Sequence, residues 1–250
     1  ETGANIIVEC DARLVQLFQR SFPPIQFLPR QIPPNPQLFD INIDYQIPMG
    51  NLGQWLRPNK DSFTASRYLL PCSKRISQMK EKYRSLSNDK LLIGISWKSI
   101  NRDIGKAKST LLEDWTSILS QGGCYFIDLQ YGNTKSEVEK YVSDKNHILI
   151  YQDEEIDPLT DLDGFAAQVS ALDLVISTSN TTAHLAGALG QNVWTLLRLV
   201  PSWRWMTQRT DTLWYPEMKL FRQLQLGNWS PVFNEVKRAL DNYMINDWKQ

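Results

Sequence analysis

A run of small polar residues separates an apolar strand from an Ala/Leu-rich helix in the stretch 175–187, VISTSNTTAHLAG. The run covers 177–182, and His184 follows inside the predicted helix. Beyond the carboxyl end of a parallel strand, the next helix presents unpaired N–H groups and the positive end of its dipole. Such a position is typical of a site for a phosphate or diphosphate group.

Two interpretations of this run remain open. One Ser or Asn is needed merely to cap the helix. A whole run exceeds that need and favours an anion site, whereas an over-capped helix is the alternative. His184 lies one turn beyond Asn180, so its imidazole would either lie beside the same ligand or pack under the strand edge. The candidate ligand-binding residues here are Ser179, Asn180, Thr181, Thr182 and His184.

The familiar phosphate-binding motifs are missing from the sequence. No G-x-G-x-x-G follows the predicted strand at 91–97, and no G-x-x-x-x-G-K-[ST] occurs anywhere. The interpretations as a dinucleotide-dependent dehydrogenase or a nucleoside triphosphatase therefore lose their main support. The interpretation as a Ser-His-Asp hydrolase is weaker still, because the sequence has no G-x-S-x-G motif. The tripeptide 203–205, WRW, follows the strand at 193–197 and offers either a cation between two flat apolar surfaces or a packing corner.

The elements that must position these residues alternate between strand and helix, which predicts an α/β fold with crossover helices. Apolar runs predict strands at 6–10, 25–28, 91–97, 124–129, 147–151, 174–176 and 193–197, and period-two alternation predicts another at 39–45. Helical periodicity predicts helices at 12–21, 76–86, 111–120, 135–142, 163–172, 181–189 and 231–248.

Composition excludes several classes of partner. Lys plus Arg and Asp plus Glu number 27 each, so no general field attracts nucleic acid or an anionic membrane. The apolar runs fall short of the roughly 20 residues that cross a bilayer, and no secretory signal is visible. Three distant cysteines and two histidines argue against a disulfide framework and a metal centre. We expect a cytoplasmic protein with no metal and no cofactor.

Longer motifs resemble a known family. The stretch 170–197, SALDLVISTSNTTAHLAGALGQNVWTLL, with WRW at 203–205 and WYPEMKLFRQ at 214–223, resembles the glycosyltransferase domain attached to bacterial tetratricopeptide-repeat proteins, a relative of the ADP-heptose heptosyltransferases. Matching segments at 3–10, 39–56, 93–99 and 127–132 extend the resemblance over most of the chain. The series of motifs from 170 to 223, in this order, is more specific than any single glycine motif.

The resemblance implies an α/β fold of the GT-B type, in which two Rossmann-like domains face each other. It predicts a partial N-terminal acceptor-side domain at 1–72, a linker at 73–90 and a C-terminal nucleotide-sugar-binding domain at 91–250, with the last helix placed to pack back on the first domain. In the family, a first strand and a glycine/acid loop precede the segment at 3–10 and carry the catalytic base or acceptor-facing residues. We therefore expect a truncated N-terminal domain.

The resemblance also implies roles for particular lysines. Lys98 is similar to the donor-phosphate lysine of the protein O-GlcNAc transferases, whose His-Thr-Thr element is similar to the tripeptide at 180–182. Either Lys106 or Lys108 is similar to the heptosyltransferase lysine, and we favour Lys98 together with Lys106 as donor-binding residues. Gln130 matches the family segment near the donor base.

Two aspartates and the helix start complete the implied site. Asp161 and Asp163 match an acidic segment before a helix; helix capping is their alternative role, which we favour for Asp163. Ser179 and Asn180 stand where heptosyltransferases have Asp-Thr, which leaves the phosphate prediction intact but makes ADP-heptose a doubtful donor. The catalytic residue stays unknown, with His184 as a candidate.

The predicted function is transfer of a sugar from a nucleotide-sugar donor to a hydroxyl acceptor on a protein, glycan or lipid. The helix N-terminus would offset the charge of the leaving diphosphate. A non-catalytic nucleotide-sugar-binding or protein-interaction module is the alternative, and an epimerase-like enzyme is a third. We expect a tetratricopeptide-repeat region in the parent chain. Asn180→Ala and Thr181→Ala are expected to weaken nucleotide binding with little loss of stability.

Overall fold

Strands and helices alternate along the chain in a computed structural model, which describes residues 3–40, 42–64, 66–145, 147–246 and 248. The strands are β1 (Ile7–Cys10), β2 (Gln26–Pro29), β3 (Leu91–Ser96), β4 (Cys124–Asp128), β5 (Ile150–Tyr151), β6 (Leu174–Thr178), β7 (Val193–Leu197) and β8 (Met218–Arg222). The α-helices are α1 (Val15–Ser21), α2 (Gln37–Asp40), α3 (Gly53–Leu56), α4 (Ser73–Ser87), α5 (Gly105–Lys108), α6 (Thr116–Leu119), α7 (Lys135–Asp144), α8 (Leu162–Ser170), α9 (Thr181–Ala188) and α10 (Ser230–Asn246). Within these ranges, no helix has both the length and the apolar character to cross a bilayer.

The central sheet has six strands in the order β5-β4-β3-β6-β7-β8, and every neighbouring pair is parallel. This confirms the predicted α/β fold with a parallel sheet. The chain builds outward from β3 to β5 on one side and then from β6 to β8 on the other. The order therefore reverses between β3 and β6, the position where sheets of this kind form a crevice beyond their strand ends.

Both faces of the sheet are covered by helices. Successive side chains of a strand point to opposite faces, so Leu92 packs into one apolar cluster while Leu91 and Ile93 pack into the other. The first cluster includes side chains of α1, α4, α8 and α9, and the second includes side chains of α6, α7 and α10. This two-sided burial explains why all six residues of β3 are buried and why the strand sequence is almost wholly apolar.

The N-terminal segment adds a second, two-stranded sheet in which β1 and β2 are parallel. Parallel strands need a crossover connection, and α1 provides it. Leu17 of α1 is fully buried in the first apolar cluster of the large sheet. The N-terminal segment therefore shares a core with the six-stranded sheet.

Two arginines attach the N-terminal segment to the first turn of α8. Arg20 of α1 donates to both carboxylate oxygens of Asp163, at 2.6 and 3.0 Å. Arg75 of α4 donates to Asp161 at 2.5 and 3.3 Å. Paired N–H···O contacts of this kind fix orientation as well as charge. They hold the start of α8 against α1 and α4.

Several sequence-based assignments change in the structure. The predicted strand at 39–45 is wrong: 37–40 form helix α2, 42–48 form no strand, and Ile41 lies outside the described residues. Among the described residues, this segment pairs with no strand, and prolines precede and follow it in the sequence. Strand β8 was not predicted. Helix α4 fills most of the predicted linker at 73–90, and Tyr83 of that helix is fully buried; the domain division itself remains a prediction.

Candidate functional site

A cavity of about 440 Å³ lies at the carboxyl edge of the sheet, at the ends of β3 and β6. This is the position at which the strand order reverses. The start of α9 and the loop after β3 contribute Ser99, Ile100, Asn101, Ser179, Asn180, Thr181 and His184 to its lining. The remaining lining residues are Arg13, Lys108, Tyr131, Pro158, Leu159, Leu162 and Phe165.

Asn180 builds the helix start from inside the protein. It is the N-cap of α9, and its Oδ1 accepts from the backbone N–H of Thr182 at 2.9 Å and of Ala183 at 3.4 Å. Its Nδ2 donates to Ser96 Oγ at 2.7 Å and to the carbonyl oxygen of Lys98 at 2.9 Å. The residue is only 5% exposed. Its side chain therefore joins α9 to β3, and both ends of its amide are engaged in hydrogen bonds within the protein.

The neighbours of Asn180 divide between the cavity and the interior. Thr182 is fully buried, and its hydroxyl donates to the carbonyl oxygen of Leu129 at 3.4 Å. Thr181 is exposed and lines the cavity. As the first residue of α9, Thr181 has an N–H with no partner inside the helix. The structure thus brings Thr181 to the cavity and keeps Thr182 away from it.

His184 is held by aromatic side chains. Its ring stacks on Trp205, with centroids 4.8 Å apart and planes 18° apart. Trp205 is fixed in turn, since its Nε1 donates to Ser179 Oγ at 2.8 Å. The Nδ1 atom of His184 lies 3.0 Å from the hydroxyl of Tyr215. These contacts leave one ring nitrogen, Nε2, without a partner among the described residues.

The imidazole of His184 is neutral near pH 7. Burial, together with the positive charges of Arg204 and Lys108, lowers its pKa from 6.5 to about 4. A neutral imidazole carries one N–H and one lone pair, so it both donates and accepts a hydrogen bond. It suits contact with an anion without adding a second charge.

Lys108 lies close to two arginines, Arg198 and Arg204, and of these three cations only Lys108 lines the cavity. Lys108 lines the cavity, and its pKa is lowered by burial and by the nearby charges of Arg198 and Arg204. Across the described ranges, none of the three forms an ion pair with a carboxylate. The Nε of Arg198 is buried and has no hydrogen-bond partner among the described groups. An unpaired buried donor and close like charges are both costly, and a bound anion would offset both costs.

The two lysines favoured from the sequence lie outside the cavity lining. The ammonium of Lys98 pairs with the carboxylate of Glu137, which also accepts from Trp97 Nε1 at 3.2 Å. Lys106 is exposed. Lys108, two residues further along the same short helix, is the lysine that reaches the cavity.

Gln130 organises the end of β3. Its Oε1 accepts from Ser96 Oγ at 3.0 Å and from the backbone N–H groups of Trp97 at 2.9 Å and Lys98 at 2.7 Å. It also lines a second cavity of about 190 Å³, which shares Pro158 with the first. The amide oxygen of Gln130 is therefore engaged in hydrogen bonds within the protein, as is that of Asn180.

The predicted roles of Asp161 and Asp163 need one correction. The residue that caps α8 is Asp161, whose side chain accepts from Gly164 N at 2.7 Å. Asp163, for which capping was favoured, lies inside the first turn and binds Arg20 instead. Asp163 is 4% exposed, and a buried carboxylate is costly unless a cation pairs with it. Arg20 provides that cation, and Asp161 already caps the helix. Neither aspartate lines the larger cavity.

Sequence reasoning missed Arg198 and Tyr215. Arg198 directly follows β7, so the argument that singled out the residues after β6 applies to it equally. Tyr215 lies 31 residues beyond His184, so no local spacing in the sequence predicts their contact. In the described part of the chain, no group of three or more His, Cys, Asp or Glu side chains is arranged to hold a metal ion.

Comparison with known proteins places the fold. No model of a protein family matches the chain. Protein FlbA of Caulobacter vibrioides is 30% identical over 245 residues, which cover 93% of this chain and 40% of FlbA. The chain therefore spans about 40% of the length of that curated relative.

Two solved structures resemble the fold at low sequence identity. ADP-heptose lipopolysaccharide heptosyltransferase II of E. coli aligns with a TM-score of 0.65 and 13% identity, over 99% of this chain and 91% of that one. A family 9 glycosyltransferase of Veillonella parvula aligns with a TM-score of 0.55 and 14% identity, over 79% of this chain and 59% of that one. At this identity the likeness establishes the fold, an α/β fold with a parallel sheet like that of these glycosyltransferases.

Proposed function

We propose that the chain is a glycosyltransferase domain that binds a nucleotide-sugar donor by its diphosphate and transfers the sugar to a hydroxyl acceptor on a protein or glycan. The observation that carries the proposal is the position of Lys108, which lines the cavity at the start of α9 and lies close to the charges of Arg198 and Arg204. Among the described residues, none of these three cations pairs with a carboxylate. The fold shared with glycosyltransferases supports the same proposal.

The chemistry follows from the charges. An acceptor hydroxyl oxygen forms a bond to the anomeric carbon while the bond from that carbon to the diphosphate oxygen breaks, and the hydroxyl proton leaves to a base. Negative charge develops on the departing nucleoside diphosphate. Fixed cations and the N–H groups at a helix start stabilise such charge because they are already oriented before the reaction. Lys108 supplies such a cation in the cavity lining, and Thr181 supplies such an N–H.

The same cations would take the place of a metal ion beside the diphosphate. Nucleotide binding is then expected to be unaffected by a chelator. The further expectations from the sequence, a tetratricopeptide-repeat region in the parent chain and a cytoplasmic location, belong to this proposal as well.

Lys108→Met is expected to weaken nucleotide binding by about 10- to 100-fold, since a charged hydrogen bond contributes about 1.5–3 kcal/mol. Calorimetry with whichever of UDP, ADP, GDP and CMP raises the melting temperature most measures the effect. Lys106→Met is the matched control, because it removes the same charge from an exposed position of the same helix.

Equal affinities in the two lysine variants would remove Lys108 from the site. A wild-type protein that no nucleotide stabilises at millimolar concentration would contradict the diphosphate site altogether.

A non-catalytic binding module is the second candidate. The described cavity lining contains no carboxylate, so no acidic side chain there serves as the base for the acceptor hydroxyl. Both candidates predict nucleotide binding. To distinguish the two candidates, the corresponding nucleotide-sugar is incubated with the protein and the products are analysed by mass spectrometry. Hydrolysis or transfer of the sugar indicates an enzyme. A donor that binds and stays intact indicates a binding module.

A further inference from the structure

The tripeptide 203–205, WRW, turns one tryptophan inward and the other outward. Trp205 is 1% exposed and stacks on His184, so it forms the packing corner that the sequence allowed. Trp203 is 68% exposed, and the guanidinium of Arg204 lies 4.7 Å from the centroid of its ring. The indole of Trp203 does not line the cavity of the proposed donor site. Its exposure therefore calls for a separate explanation.

Trp203 belongs to a row of aromatic contacts that reaches the N-terminal part of the chain. Its ring packs edge-to-face on Trp214, with centroids 6.0 Å apart, and Trp214 packs edge-to-face on Phe63 at 4.8 Å. The guanidinium of Arg57 lies 5.7 Å from the centroid of the Phe63 ring. We call this set of residues the aromatic ridge: Arg57, Phe63, Trp214, Trp203 and Arg204. Three rings thus follow one another, with an arginine at each end.

Both arginines of the aromatic ridge are held in place but not neutralised. Arg57 donates to the carbonyl oxygen of Leu56 at 2.7 Å, and Arg204 donates to Ser202 Oγ at 3.3 Å. A guanidinium has five N–H donors in a planar fork, so one such bond leaves donors for a carboxylate. Among the described residues, neither arginine forms an ion pair with a carboxylate. The aromatic ridge is therefore complementary in charge to an acidic partner.

Exposed aliphatic side chains flank the aromatic ridge in the sequence. Leu56 directly precedes Arg57, and it is exposed. Val200 precedes Trp203 by one turn of chain and is exposed as well. Single exposed apolar residues are ordinary, whereas a connected apolar group with a charged rim marks an interaction surface. Trp and Arg are also among the residue types that carry most of the binding energy at protein–protein interfaces.

We propose that the aromatic ridge is a docking surface for an acidic polypeptide segment, whose carboxylates pair with Arg57 and Arg204 while an apolar side chain packs on Trp203. The proposal goes beyond glycosyl transfer and does not rest on it.

A polypeptide fits these residues better than a nucleic acid or a membrane does. Lys plus Arg and Asp plus Glu number 27 each, so no general positive field gathers a polyanion. Basic surfaces that bind anionic lipids carry clusters of about 4–8 Lys or Arg residues, whereas the aromatic ridge has only its two arginines. Phe63 and Trp214 are half-buried and meet edge-to-face, so they do not offer the open ring faces on which unpaired bases stack.

The measurement is the fluorescence anisotropy of a labelled glutamate–tyrosine copolymer titrated with the full chain in the absence of nucleotide. A lysine–tyrosine copolymer of the same length is the control probe. The acidic copolymer is expected to bind, with an affinity that falls as salt is added, and the basic copolymer is expected not to bind.

Trp203→Ala and Arg57→Met are each expected to weaken binding of the acidic copolymer about tenfold, as expected for anchor residues of an interface. Tyr45→Ala and Arg30→Met are the matched controls, because each removes an exposed residue of similar type that lies outside the aromatic ridge. Neither control is expected to change the affinity. If Trp203→Ala does not fold, Arg57→Met decides the test on its own.

Three results would overturn the docking surface. The first is a wild-type protein that does not bind the acidic copolymer. The second is a folded Arg57→Met protein with unchanged affinity. The third is tighter binding of phosphatidylserine vesicles or of a single-stranded oligonucleotide, lost in the same variants, which would assign the aromatic ridge to a membrane or a nucleic acid. A chain that binds the copolymer but no nucleotide would contradict the proposed function and leave the docking surface intact.

Discussion

Asn180→Ala is expected to lower the free energy of unfolding by about 3 kcal/mol. Loss of a helix cap costs about 1 kcal/mol. The buried groups that lose Asn180 as a partner cost about 1–3 kcal/mol together. Their total is not larger, because Ser96 keeps its hydrogen bond to Gln130. The sequence-based expectation that this variant would lose little stability is therefore revised. The reason is that Asn180 is buried and bonds to both α9 and β3.

Urea denaturation measures this effect as a shift of the midpoint at constant slope. Thr181→Ala is the matched control, because Thr181 is the next residue and is exposed; a change of at most about 0.5 kcal/mol is expected for it. Asn180→Asp separates the two halves of the contact, since it keeps the cap and loses the donor to the Lys98 carbonyl oxygen. Identical midpoints for wild type and Asn180→Ala would show that these bonds do not stabilise the fold.

Acidification is expected to destabilise the protein through His184. Its pKa falls from 6.5 in the unfolded chain to about 4 in the folded protein. Between these values the unfolded chain binds the proton and the folded protein does not, so stability decreases as the pH falls from about 6.5 to 4. The shift corresponds to about 3 kcal/mol once pH 4 is reached, and to about 2 kcal/mol at pH 5. Burial, Arg204 and Lys108 are the causes.

The check is the free energy of unfolding at pH 7.5 and pH 5, in wild type and in His184→Gln. The variant has no imidazole at this position, so about 2 kcal/mol of the pH dependence is expected to disappear. His147→Gln is the control, because it removes the other, exposed histidine. If all three proteins lose the same stability on acidification, His184 is not held neutral by the fold.

The sequence was sufficient to predict where the cavity lies, because that position depends on local pattern. The residues 177–182 span the end of a wholly buried strand and the start of the next helix, and that order places them at the carboxyl edge of a parallel sheet. What the sequence could not supply was the direction of each side chain. Asn180 points inward because Ser96 and the Lys98 carbonyl, more than 80 residues earlier, await its amide.

The choice between lysines shows the same limit. Lys106 and Lys108 lie on one short helical turn and have equal claims in sequence, but two residues along a helix separate their directions by more than half a turn. Only Lys108 faces the cavity. Similarly, Asp161 rather than Asp163 caps α8, and Asp163 pairs with Arg20, which lies 143 residues away in the sequence. Long-range partners of this kind leave no trace in local spacing.

The arginine contacts of α8 bear on whether the chain behaves as separable modules. An excised piece covering 91–250 would lose Arg20 and Arg75, the cations that pair with Asp163 and Asp161 at the start of α8. It would also lose Leu17 from its core. The halves should therefore melt together, giving a single calorimetric transition in the intact chain, whereas independent modules would give two.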